Sequence, residues 1–187
     1  MNTVRRLLFI LPFLLVGCAA APPLRLYTLG APGASDAFFP PAPGAQVIEV
    51  SRINLPDYLD TQDLLVRRGS VIERSDTGRW ISRLSVLATD LVTQQLAMRT
   101  PRAWVTDEEV AGSPNYRIII DVSELDITAK RTATLAASWQ VIPDNGGPVV
   151  RCGRSFTLSG SIATDQSVVR LERRLFDRLA RAITIPD

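Results

Sequence analysis

Histidine is absent from all 187 residues. Ser-His and Cys-His nucleophile pairs and histidine-ligated metal sites are therefore excluded. Lysine occurs once, as Lys130, between two strand-like stretches where an exposed hairpin turn belongs, so a serine nucleophile has no buried amine as its base. No calcium-loop spacing is present, and the carboxylate pairs Asp57/Asp60 and Glu108/Glu109 fall in loop-like segments that read as solvated. Gly146-Gly147 sits among turn residues, not in a phosphate loop. A membrane-spanning helix needs about 20 apolar residues. The apolar run near the start is about half that long and is interrupted by Pro12. The expectation is a chain with no catalytic constellation, no metal and no enzymatic activity.

What is present at the start is an export signal. Arg5-Arg6 precede an apolar run over residues 7–16 and the small-residue site Gly17-Cys18, the layout of a secretory signal peptide. Leu15-Val16-Gly17-Cys18 matches the bacterial lipobox. The pattern implies cleavage before Cys18 and acylation of that cysteine, dividing the chain into a signal peptide (1–17), a lipidated tether (18–23) and one domain (24–187). The only cofactor-like group expected is this covalent lipid. More than one acyl chain makes anchoring stable, because each buried methylene contributes about 0.8 kcal/mol. Ala19, rather than aspartate, follows the cysteine, which resembles a lipoprotein sent to the periplasmic leaflet of a Gram-negative outer membrane. Five tether residues reach at most about 17 Å, so the domain sits close to the leaflet.

Loss of the signal changes the charge. Arg5 and Arg6 leave with it, and the remaining basic side chains balance the 19 acidic ones. No basic surplus argues for nucleic acid. With Cys18 acylated, Cys152 has no intrachain partner. Its phase with Val150, Phe156, Leu158 and Ile162 predicts a buried packing residue.

Alternation of apolar residues predicts strands over 24–29, 46–53, 64–67, 116–123, 133–141 and 150–162, with short ones at 71–73 and 104–105. Asp76-Thr77-Gly78 and residues 143–148 read as turns. Residues 30–44 are a proline-rich loop whose Phe38-Phe39 pair either pins it to the body or meets a membrane or partner. A first helix is predicted over 80–99, with Trp80, Leu84, Leu87, Leu91 and Met98 on one face and Ile81, Ala88 and Val92 widening the stripe. A last helix capped by Asp165 or Ser167 buries Val168, Leu171, Leu175, Leu179 and Ala182. Its arginines 170, 173, 174, 178 and 181, with Glu172 and Asp177 among them, read as a solvated face or as a surface for anionic headgroups or an acidic partner. The predicted class is α+β: a mostly antiparallel sheet with two helices packed on one face, in a single domain.

Several separated segments carry a resemblance: Tyr27-Thr28-Leu29, then Leu55-Pro56-Asp57-Tyr58-Leu59-Asp60 running into Leu64-Leu65-Val66-Arg67, then Arg79-Trp80 opening a leucine-rich stretch. Together they resemble the ABC-type transport auxiliary lipoproteins, whose best-known branch is the paraquat-inducible protein C type. Thr61-Gln62 and Ile81-Ser82-Arg83-Leu84 depart from the pattern usual in that family. The resemblance implies a small domain with two helices against a sheet and a role without catalysis. The implied partner is an MCE-domain tunnel protein carrying phospholipid between the two membranes. The lipoprotein would be its docking end on the outer membrane, assembled as a homo-oligomeric ring that maintains envelope integrity. Leu55, Pro56, Asp57, Tyr58, Leu59 and Trp80 are then the candidate assembly contacts, although Pro56, Tyr58 and Trp80 equally suit a turn and a helix start. Two other classes remain open: a lipid carrier with its own apolar cavity between helices and sheet, and an enzyme acting on envelope polymers.

Overall fold

The computed structural model describes residues 23–30, 44–109 and 112–186. The signal peptide, Cys18, most of the tether and Phe38-Phe39 lie outside the described residues. In chain order the elements are β1 (Arg25–Tyr27), β2 (Gln46–Val50), β3 (Asp63–Arg68), β4 (Val71–Trp80), α1 (Leu84–Arg99), β5 (Ala103–Thr106), β6 (Tyr116–Ile127), β7 (Thr132–Pro143), β8 (Val150–Ser159) and α2 (Asp165–Ala182). The class is α+β, as expected. The strands divide into two sheets, ordered β1-β4-β3 and β5-β2-β6-β7-β8. The long ladders β3/β4, β6/β7 and β7/β8 are antiparallel, whereas β1/β4, β2/β5 and β2/β6 are short and parallel.

The long strands form where alternation is cleanest. In β6, Ile118, Ile120 and Val122 point inward; across the ladder in β7, Leu135, Ala137, Trp139 and Val141 do the same. The β6/β7 turn holds exposed Lys130 and puts Arg131 at a φ of 64°. Helix α2 lies on β7 and β8, reaches β3 and β4, and runs beside α1, which packs on β5. Leu135, Leu175, Phe176 and Leu179 are fully buried between these layers.

Several local expectations are corrected. Asp76-Thr77-Gly78 is not a turn: β4 runs through it with a bulge, because the register passes from Asp63↔Arg79 to Leu65↔Arg74. The Ser75 hydroxyl oxygen accepts the N–H groups of Thr77 and Gly78, at 3.2 and 2.9 Å, and the Arg79 guanidinium donates to the Ser75 and Gly78 carbonyls. Turn chemistry is thus spent inside a strand, where the extra residues bend it. Trp80 consequently closes β4 and does not begin α1.

The α1 stripe is also shifted. Ile81 and Met98 are 58% and 66% exposed, while Leu96 is buried. Ser85, Thr89 and Thr93 are buried as well, so α1 is enclosed on most sides and its sequence carries little amphipathic signal. The N-cap of α2 is Thr164, in a capping box with Ser167, rather than Asp165 or Ser167. Glu172, expected among the surface charges, is buried. Cys152 is exposed, not buried. Cys152 pairs with buried Trp139 and so shares the inward phase, but β8 is an edge strand, and burial begins only at Phe156 and Leu158.

Candidate docking surface

The segment from Asn54 to Trp80 joins the small sheet to α1. Asn54 is tied to β6: its N–H donates to the Ile120 carbonyl at 3.0 Å and its side-chain amide to Asp121 Oδ1 at 2.7 Å. Just before it, the Ile53 N–H donates to Thr89 Oγ1 on α1. Pro56 opens the turn with a fixed φ, and its carbonyl accepts the N–H groups of Leu59 and Asp60 at 2.8 and 3.2 Å. The turn drives Leu59 into the core, at 5% exposure.

Asp60 then acts on the helix. Its Oδ1 accepts the Ser85 N–H at 3.0 Å and its Oδ2 lies 3.4 Å from Arg83 Nη1. A carboxylate at a helix N-terminus meets both an orphan N–H and the positive end of the dipole. Partial burial pushes the Asp60 pKa up, but hydrogen bonds from Ser85 and the Arg83 charge outweigh this and leave it below the ordinary value. The Trp80 N–H donates to the Gln62 carbonyl at 2.7 Å and the Leu84 N–H to that of Thr61 at 3.2 Å.

Of the six predicted contact residues, Leu59 and Trp80 are therefore spent on the interior, Trp80 at 1% exposure. Leu55 and Pro56 are half-buried. Asp57 and Tyr58 project from the turn, and Tyr58 is 49% exposed. An aromatic ring that the fold leaves in water is a surface feature folding does not require. Asp60, which holds the turn against α1, was absent from the predicted set; the acidic residue ahead of a helix was the available signal.

Two other features of the surface were not predicted. A groove of about 670 Å³ lies beside the end of α1, lined by Gly44, Gln46, Arg99, Thr100, Arg102 and Ile185. Arg99 is structural there, donating to the Ala180 carbonyl at 2.7 Å. Asp90 on α1 faces Asp107; burial, then that neighbouring carboxylate, push its pKa up to about 6 against the pull of Arg52. Among the described residues no three histidine, cysteine or acidic side chains converge as metal ligands, and no helix is long and apolar enough to cross a membrane.

The family model of the ABC-type transport auxiliary lipoprotein component matches residues 27–184. No curated protein matches the sequence. Among solved structures, an uncharacterised protein superposes with a TM-score of 0.69 at 12% identity, over 85% of this chain and 95% of its own. A Xanthomonas campestris protein of the family designated DUF330 superposes with a TM-score of 0.53 at 16% identity, over 75% of this chain and 84% of its own. At these identities the two structures share the fold.

Proposed function

The chain belongs to the ABC-type transport auxiliary lipoprotein family, and from that premise we propose that it is the non-catalytic docking subunit of an intermembrane phospholipid transporter. Its partner is an MCE-domain tunnel protein. Its seat is the periplasmic leaflet of the outer membrane, where acyl chains on Cys18 hold it, and several copies form a ring around the partner's end.

The observation that carries this reading is the division of labour in the Leu55-Asp60 turn. Leu59 is buried and Asp60 is bonded to the start of α1, which fixes the turn, while Asp57 and the half-exposed Tyr58 ring are left free. A rigid turn presenting an aromatic side chain suits an interface anchor, since little entropy is lost on binding. The docking role is preferred to the carrier because Leu135, Leu175 and Phe176 fill the space between α2 and the large sheet at full burial.

The test is crosslinking and affinity purification of the tagged full-length chain from cells. An MCE-domain protein should co-purify in stoichiometric amount, and Tyr58→Ala should lower its yield at least fivefold without lowering the amount of the chain itself. A strictly monomeric chain with no MCE partner overturns the proposal.

A further inference from the structure

Strand β1 carries leucines on the wrong side for a strand facing water. Tyr27 and Leu29 turn inward, and Leu29 is fully buried, but Leu24 and Leu26 point outward at 57% and 60% exposure. The outward face of a one-sided sheet is ordinarily polar. The parallel register sets Leu26 beside Arg79, and residues paired in a ladder share a face. The Ile81 N–H extends this ladder by donating to the Tyr27 carbonyl at 2.9 Å, which brings Ile81, 58% exposed, onto the same face. Arg79 is neutralised there by Asp63 at 3.0 Å, so the face is apolar with a charge-compensated centre. Exposed Arg83 follows two residues after Ile81.

We infer that Leu24, Leu26 and Ile81 form the face that rests on the lipid leaflet, with their side chains entering the headgroup region. The inference rests on Cys18 as the anchor. Leu24 is the sixth residue after Cys18, and five intervening residues span at most about 17 Å, so β1 is the part of the domain held nearest the leaflet. The patch amounts to about 300 Å², far below the ~800 Å² per partner that a stable protein complex buries. It is enough, however, to orient a domain already tethered, because tethering replaces the cost of bringing the surfaces together. Arg83, two residues beyond Ile81, suits an anionic headgroup.

The experiment places photo-reactive benzoylphenylalanine at position 26 of the full-length chain, or at position 157 on β8 as the reference. Each purified chain is reconstituted into phosphatidylethanolamine–phosphatidylglycerol vesicles and irradiated, and intact mass then reads acylation and crosslinked adducts separately. Phospholipid adducts should form at position 26 at least five times more than at position 157. Equal yields at the two positions, or position 26 crosslinking to a second copy instead of lipid, overturn the inference. A chain that lacks acyl chains yet gives lipid adducts at position 26 overturns the anchor and upholds the face.

Discussion

Replacing Glu172 by glutamine should stabilise the domain, and more so the higher the pH. Glu172 is 3% exposed on α2, one turn from buried Val168 and one turn from buried Phe176. Its Oε2 has no hydrogen-bond partner among the described residues. Burial alone pushes its pKa from 4.5 up to about 8. A carboxyl with a raised pKa in the folded state holds its proton more tightly there than in the unfolded chain. Stability is therefore greatest in acid and falls as the pH rises from about 4.5 to about 8, after which it levels. The full shift corresponds to about 5 kcal/mol, and about 4 kcal/mol of this is lost between pH 5 and pH 9. That loss is comparable to the whole stability of many domains, ~5–15 kcal/mol. Glu172→Gln removes the titration while keeping the shape. At pH 5, where the glutamate is protonated in the fold, the variant should lie within about 1 kcal/mol of the parent. At pH 9 it should be more stable by about 3 kcal/mol, judged from urea midpoints at pH 5, 7 and 9 and matched ionic strength. Midpoint-against-pH curves that run parallel for the two proteins would refute the reasoning, because they would mean that Glu172 meets water or a cation in the folded state.

Gly78→Ala should cost about 1–3 kcal/mol, since the new Cβ would meet Asp165 Oδ2 at 2.5 Å and Leu64 Cδ1 at 2.7 Å where α2 begins against β4; an unchanged thermal midpoint would show that α2 can move aside. Asp60→Ala removes the carboxylate that receives the Ser85 N–H and should destabilise by about 1–2 kcal/mol at pH 7. Because the folded pKa of Asp60 is depressed, its contribution is present above the unfolded value near 4 and disappears as the pH falls through the folded one, so parent and variant should converge in acid melts. Asp107→Asn relieves the repulsion that helps raise Asp90 to about 6. The parent should lose stability between about pH 4 and pH 6, and the variant should lose less; carbon-detected NMR titration of Asp90 gives the direct readout.

The parts of the fold legible in the sequence are those where local pattern and tertiary burial agree. The alternation in Ile118, Ile120 and Val122, and in Leu135, Ala137 and Trp139, is both a strand signal and a true inside/outside record. Where the two separate, the sequence misleads. Asp-Thr-Gly is turn chemistry, yet at residues 76–78 it builds a bulge because β3 pairs on both sides of it. Cys152 is in phase with buried residues, but burial along an edge strand depends on how far the covering layer extends, which no local pattern encodes. Residue type alone puts Glu172 on the surface, whereas the packing of α2 buries it. Helix α1 is enclosed on so many sides that Ser85, Thr89 and Thr93 are buried along with its leucines, so an amphipathic template has no true polar face to find and admits Met98 in place of Leu96.

The same separation bears on the docking turn. The block Leu-Pro-Asp-Tyr-Leu-Asp and the Arg-Trp pair carry the family resemblance, but most of those residues build a joint. Trp80 closes β4 in the core, Leu59 fills the turn, and Asp60 holds the start of α1. Backbone bonds from Ile81 to Tyr27, Trp80 to Gln62 and Leu84 to Thr61 tie β1, the turn and α1 together at one place. In the proposed arrangement, β1 is the strand nearest the lipid anchor and the turn carries the partner-facing Tyr58. A rigid joint between them converts a position on the leaflet into a defined position for the docking side chain. Without that rigidity, a tether of five residues would fix the height of the domain but not its orientation, and the proposed docking to the end of a tunnel protein requires both.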